Sequence, residues 1–247
     1  MLLRSISKHV KEQNWFAVGL DFIIVIAGIL IAFQITNWNE TRQERAKQDV
    51  YLERLHNDFS GIRARLDTHL DHYQDAIEGS DYVLSLISAD NADITAINVD
   101  DDRLLKSVVA FNSARIPPGA PATYNEMVSE GQLSGVRPIQ LRDKLAEYDQ
   151  LLGIVQEVSR IVVNRSILQE PIIYRHFKIL SIMEAGDLSG IGFELISYDL
   201  ESMRSDKELA VAVLSLRQDA MNSLGQRRFQ MELIDQIIEM LDTELAA

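Results

Sequence analysis

The 247-residue chain has no cysteine, and it contains only five prolines and two tryptophans. Without thiols it can hold neither a disulfide framework nor a thiolate metal site, and thiol catalysis is excluded. Basic residues are also scarce. The balance of 24 Lys and Arg against 37 Asp and Glu gives a formal charge of −13, which repels a phosphate backbone and argues against nucleic acid as a partner. The segment "GDLSGIG" lacks the lysine and the spacing of a phosphate loop and reads as a turn. No serine stands in a nucleophile-elbow pattern. Of the five histidines, only His69 and His72, in "DTHLDHYQD", are close together. With Asp75 they sketch a metal site, but the solvated face of a helix explains them better. The expectation is a protein that is not an enzyme, with no metal and no cofactor.

The chain has, instead, one long apolar run. Between Trp15 and Ile35 only Asp21 and Gln34 are strongly polar. As a helix this run rises about 30 Å, the thickness of a bilayer's hydrocarbon core. Trp15 and Trp38 bracket it, where amphipathic rings favour the two water–lipid interfaces. The run exceeds a cleavable leader's core and ends in "FQITNWNE" rather than a small-residue cleavage site. It reads as a retained, single-pass anchor in the lipid bilayer. Basic residues on its two sides are nearly balanced, so orientation rests on the short basic N-terminus, which suits the cytoplasm. The organisation expected is a cytoplasmic N-terminus (1–13), a transmembrane helix (14–38), a stalk helix (39–90) and an extracytoplasmic helical bundle (91–247).

Asp21 is costly inside a bilayer, on the order of 3 kcal/mol when ionised at its centre. On a helical wheel Asp21, Gly28 and Ala32 share a line, with Ile24 and Val25 beside it. Gly28 and Ala32 make a small-xxx-small pair that allows two helix backbones to approach. These five residues are the candidate interface for self-association or for other membrane proteins; otherwise Asp21 is an interfacial acid and the small residues are incidental.

Two passages carry a family resemblance. "DFIIVIAGILIAFQITNWNETRQER" is similar to the N-terminal signature of a large bacterial family of uncharacterised single-pass membrane proteins, in which such an anchor leads directly into a charged helix. "TYNEMVSEGQLSGVRPIQLRDKLAEYDQLL" resembles a second landmark of the same family. Asp21 stands where many members carry glutamate, and a single Tyr148 replaces a common aromatic pair. The resemblance implies an inner-membrane protein of this architecture; it implies no chemistry.

Helical periodicity dominates the remainder. Leu52, Leu55, Phe59, Ile62, Leu66, Leu70, Tyr73 and Ile77 follow steps of three and four, one buried stripe, although His69 and Ser80 interrupt a clean coiled-coil seam. Asp100 to Asp102 offer caps to a short helix, and "ARIPPGAPA" breaks the chain. Thr123 with Glu126, and Ser205 with Glu208, have capping-box spacing. A long helix is expected from about Ile139 to Gln169, a further helical run from Pro171 through "PIIYRHFKILSIME", and a last helix toward Leu245. The fold class is all-α: an anchor helix continuing into a stalk, then an antiparallel bundle.

Tyr124, Arg142 and Tyr148 form a candidate corner. Two aromatic faces and a bidentate donor suit a carboxylate ligand, while packing of the tyrosines with Met127, Leu133, Val136, Leu141 and Leu145 is the plainer alternative. Two functions are therefore compatible with the sequence. One is a membrane-anchored interaction or scaffold protein, a subunit of an assembly or a homo-oligomer. The other is an extracytoplasmic ligand sensor that works with a separate signalling partner.

Overall fold

A computed structural model describes residues 15–88, 98–111, 115–183 and 191–246. Its helices are α1 (Trp15–Ser88), α2 (Asp101–Phe111), α3 (Ala122–Ser129), α4 (Ile139–Tyr174), α5 (Leu200–Ser205) and α6 (Lys207–Leu245), with a short 3-10 turn at Gln132–Gly135. A hairpin, β1 (Phe177–Met183) and β2 (Ile191–Tyr198), joins α4 to α5. The fold class is all-α, as the periodicity indicated. The chain divides into two compact units, residues 1–50 and 51–247, and α1 contributes to both.

In the first unit every side chain from Gly19 to Lys47 is exposed. Phe22 and Phe33 are each 66% exposed, and this part of α1 is long and apolar enough to cross a membrane. Thr36 and Thr41 satisfy their hydroxyls on the helix itself, donating to the carbonyls of Ala32 and Asn37 at 3.1 and 2.8 Å.

The second unit is a helical bundle. The α1 stripe turns inward as expected: Leu52, Leu55, Phe59, Ile62, Leu66 and Tyr73 are buried. Helices α4 and α6 run antiparallel. Their contacts pair Tyr148 with Gln230, Arg165 with Asp219 and Arg175 with Glu208, one index rising as the other falls. One apolar cluster joins α1 and α3 to the first half of α4 and the second half of α6. A second gathers the end of α1, α2, the hairpin, α5 and the first half of α6.

Three local expectations are corrected. The run after Pro171 is not a new helix. Pro171 lies inside α4, and the chain then enters β1. Pro171 stands one turn from the helix end, and both it and Ile167, whose carbonyl loses its donor, are exposed, so solvent can take that carbonyl. "FKILSIM" fits either period by itself; its partner "IGFELISY" decides for a strand by pairing antiparallel from Phe177↔Tyr198 to Met183↔Ile191, with a bulge after Lys178. The last helix is capped by Asp206, which accepts from the backbone N–H of Glu208 and Leu209 at 2.8 and 3.3 Å. Ser205 instead donates to the Ser202 carbonyl. Thr123 is not a cap either: the helix begins after Pro121 without a local side-chain cap. Asp100 does cap α2, accepting from Arg103 N–H at 3.0 Å.

Candidate functional site

The candidates on the apolar stretch of α1 are displayed together. Asp21, Ile24, Val25, Gly28 and Ala32 are all exposed on α1, and no side chain or neighbouring element lies within 4 Å of a Cβ built at Gly28. Just beyond the apolar stretch the Arg42 guanidinium lies 5.8 Å from the Trp38 ring, a cation–π contact.

The second candidate separates into a packed part and a polar rim. Tyr124 and Tyr148 belong to one apolar cluster with Met127, Val136, Leu141 and Leu145, and Leu133 packs against it. Burial pushes both phenol groups above their ordinary pKa. Tyr148 meets Phe59 edge to face, with centroids 5.2 Å apart. Arg142 is half-buried and donates to the Ser134 carbonyl at 3.4 Å. Around this corner α1 organises α3 from a distance. Asp58 accepts from Thr123 N–H at 3.0 Å, supplying the cap that the local sequence lacks. Arg54 forks onto both oxygens of Glu126 at 3.2 and 2.5 Å, and Tyr51 donates to Glu130 at 2.9 Å.

A polar layer invisible to motif reading crosses the interior beside this corner. Arg227 of α6 is 1% exposed, and no carboxylate among the described residues pairs with it. It donates to Ser159 of α4 at 3.0 Å and to Gln230 at 3.4 Å, and Gln230 donates to the Tyr148 hydroxyl at 3.2 Å. Burial lowers the guanidinium's pKa. His69 of α1 belongs to the same layer. Desolvation, reinforced by the charges of Arg227 and Arg115, lowers its pKa to about 4, so the ring is neutral at physiological pH. Its Nδ1 is buried without a hydrogen-bond partner among the described residues. His72 is half-buried, its ring 5.5 Å from that of Tyr73. The signal for this layer was positional: Arg227 and Gln230 occupy the buried stripe of α6, where apolar residues are the rule.

A polar joint holds the other end. The ring of His176, at the entry to β1, lies 2.8 Å from Asp206 Oδ2 through Nε2 and 3.1 Å from Ser202 Oγ through Nδ1. Serine, histidine and aspartate are aligned, but the Ser202 N–H is already given to Asp199 at 2.9 Å. The arrangement thus supplies a clasp between hairpin and helix ends, with no oxyanion donors assembled around the hydroxyl among the described residues. The His176 hydrogen bond is the main reason that Asp206 lies below the usual carboxylate range.

Comparison with curated proteins finds no match, and none is found among solved structures. A family model does match, over residues 21–152, from the apolar stretch of α1 through the first half of α4. This chain belongs to that family, a family of unknown function designated DUF6090.

Proposed function

We propose that this protein is a single-pass protein of a bacterial inner membrane whose C-terminal helical domain stands in the periplasm and works by binding, either to copies of itself or to other subunits of a membrane assembly, and not by catalysis. One observation carries this reading: the apolar surface of α1 from Gly19 to Ile35 is exposed on all sides, and only lipid or other membrane helices satisfy such a surface. Asp21, Gly28 and Ala32 supply the face on which a second helix would shield the carboxylate.

Purification of the full chain in mild detergent, with identification of what accompanies it, tests the assembly. Stoichiometric co-purification of a membrane protein, or a stable homo-oligomer, is expected; a monodisperse monomer without companions contradicts the proposal. A reporter fused after Ala247 should be active only outside the cytoplasm. For the helix face, an isolated segment from Asn14 to Glu44 carrying Gly28→Ile should dimerise more weakly in a bilayer by about 1–3 kcal/mol, the range for overpacked contacts. Equal association of native and variant segments removes that face from the proposal.

A further inference from the structure

The buried stripe of α4 does not use all of that helix's apolar residues. A second row runs beside it through Leu151, Ile154, Val158, Ile161, Leu168 and Ile172, in steps of three and four that are interrupted only by Arg165. Ile154, Ile161 and Leu168 are 63, 45 and 77% exposed, and the other three are half-buried. A helix that only packs into its own bundle needs one apolar stripe and turns polar elsewhere. This second row has the 3.5-residue spacing of a coiled-coil seam: Leu151, Val158, Arg165 and Ile172 are its a positions, and Ile154, Ile161 and Leu168 its d positions. Near its end Ile172 shares a shallow groove with Val211 of α6, which is itself exposed.

Arg165 decides what fits this seam. Its guanidinium is held by Asp219 Oδ1 at 2.5 Å, so the one charged position carries its counter-ion with it. In an antiparallel pair a positions face d positions, and each Arg165 would meet an isoleucine or a leucine. A parallel pair shifted by one heptad would set it against Val158 or Ile172. Both arrangements create two mismatched layers. A parallel, in-register pair of identical helices gathers both guanidiniums into one layer, each beside its own carboxylate, and leaves the six remaining layers apolar on both sides. A single polar a position fixes register in this manner.

We infer that α4 pairs along this seam with α4 of a second copy, parallel and in register. The inference rests on the reading that the protein works by binding, and it adds to the face on α1 a second surface through which copies meet. The strip is about 33 Å long and about 10 Å wide, large enough to mark an interaction site but small for two proteins meeting freely in solution. A copy anchored in the same bilayer meets it at high effective concentration, for which a strip of this size suffices.

The chain has no cysteine, so single-cysteine variants of the full chain, oxidised in membranes, report one position each. Ile154→Cys and Leu168→Cys should each form disulfide-linked dimers, because facing d positions bring Cβ atoms within disulfide reach. Gln156→Cys, exposed on another face of α4, should link at least tenfold less. Adding Ile161→Glu, at an exposed site, should leave Tm near native and reduce linking at Ile154→Cys by a similar factor. Linking no greater at the seam than at Gln156→Cys overturns the inference. So does linking of Ile154→Cys to Leu168→Cys in mixed membranes when neither links to itself, the mark of an antiparallel pair. A dimer that persists in detergent without seam linking removes the seam alone and leaves the binding role to the face on α1, whereas a monomer without companions contradicts both.

Discussion

Gly79 of α1 and Ser107 of α2 are in direct backbone contact: a Cβ placed on Gly79 would lie 2.8 Å from Ser107 Cα and 3.0 Å from its Cβ. Both residues are buried. Because the nearest atom is backbone, no rotamer change relieves the contact, and α2 must move. Gly79→Ala should therefore destabilise the domain by about 1–3 kcal/mol, even though alanine favours a helix. Thermal unfolding followed by circular dichroism checks this. Adding Ser107→Gly should recover little, since the Cα clash persists; a full recovery would place the strain in side chains instead.

Asp58→Ala removes the acceptor at the start of α3 and should cost about 1 kcal/mol, the usual value of a helix cap. Asp58→Asn keeps an acceptor oxygen and should retain most of that stability. Hydrogen exchange at the Thr123 amide gives a local reading, faster in the alanine variant and close to native in the asparagine one.

Arg227 tests what a buried cation does when, among the described residues, it has only neutral hydrogen-bond partners. Arg227→Met fills a similar volume without desolvating a cation and should be neutral or stabilising, as apolar replacement of buried ions often is. Arg227→Ala leaves a cavity and strands Gln230 and Ser159, with an expected loss of about 2–4 kcal/mol. Tm values for the two variants should therefore fall on opposite sides of, or at unequal distances from, that of the native chain. Equal, large losses would show that the guanidinium's own hydrogen bonds dominate.

His69 gives a pH dependence of known sign. Its folded value is about 4, against 6.5 for the free side chain, so between these values the unfolded chain binds the extra proton. The contribution is complete above pH 6.5 and is lost as pH falls from there toward 4. Discounting for a side chain that is only half-buried, the loss amounts to roughly 1–2 kcal/mol. His69→Leu should flatten this part of the profile relative to native. Identical profiles would remove His69 as the cause.

The features legible in the sequence were those written as periodicity. The α1 stripe, the long exposed apolar stretch of α1 and the Asp100 cap all follow from the order of residues within one helix. The hairpin was missed because "FKILSIM" satisfies two periods, and pairing with a distant strand settles which one. The capping boxes failed for a related reason. Asp58 lies far from Thr123 in sequence, and Asp206 sits one residue beyond the position that the spacing selects. In the candidate corner, Tyr124 and Tyr148 were recognised as near neighbours. The Arg227 layer was not, because its members come from three helices and each resembles a surface residue when read alone.

The apolar cluster beneath Phe59 and Tyr148 is closed by Leu233, Ile234, Ile237 and Leu241 of α6, whereas the family match ends at Leu152. The end of the family match and the end of the packed cluster thus fall in different places. A protein trimmed to the matched residues would present α1, α3 and the start of α4 with their inner faces open to water, an invitation to aggregate. The last helix is the closing wall of a cluster whose other members lie inside the matched span, so that span does not close its own core.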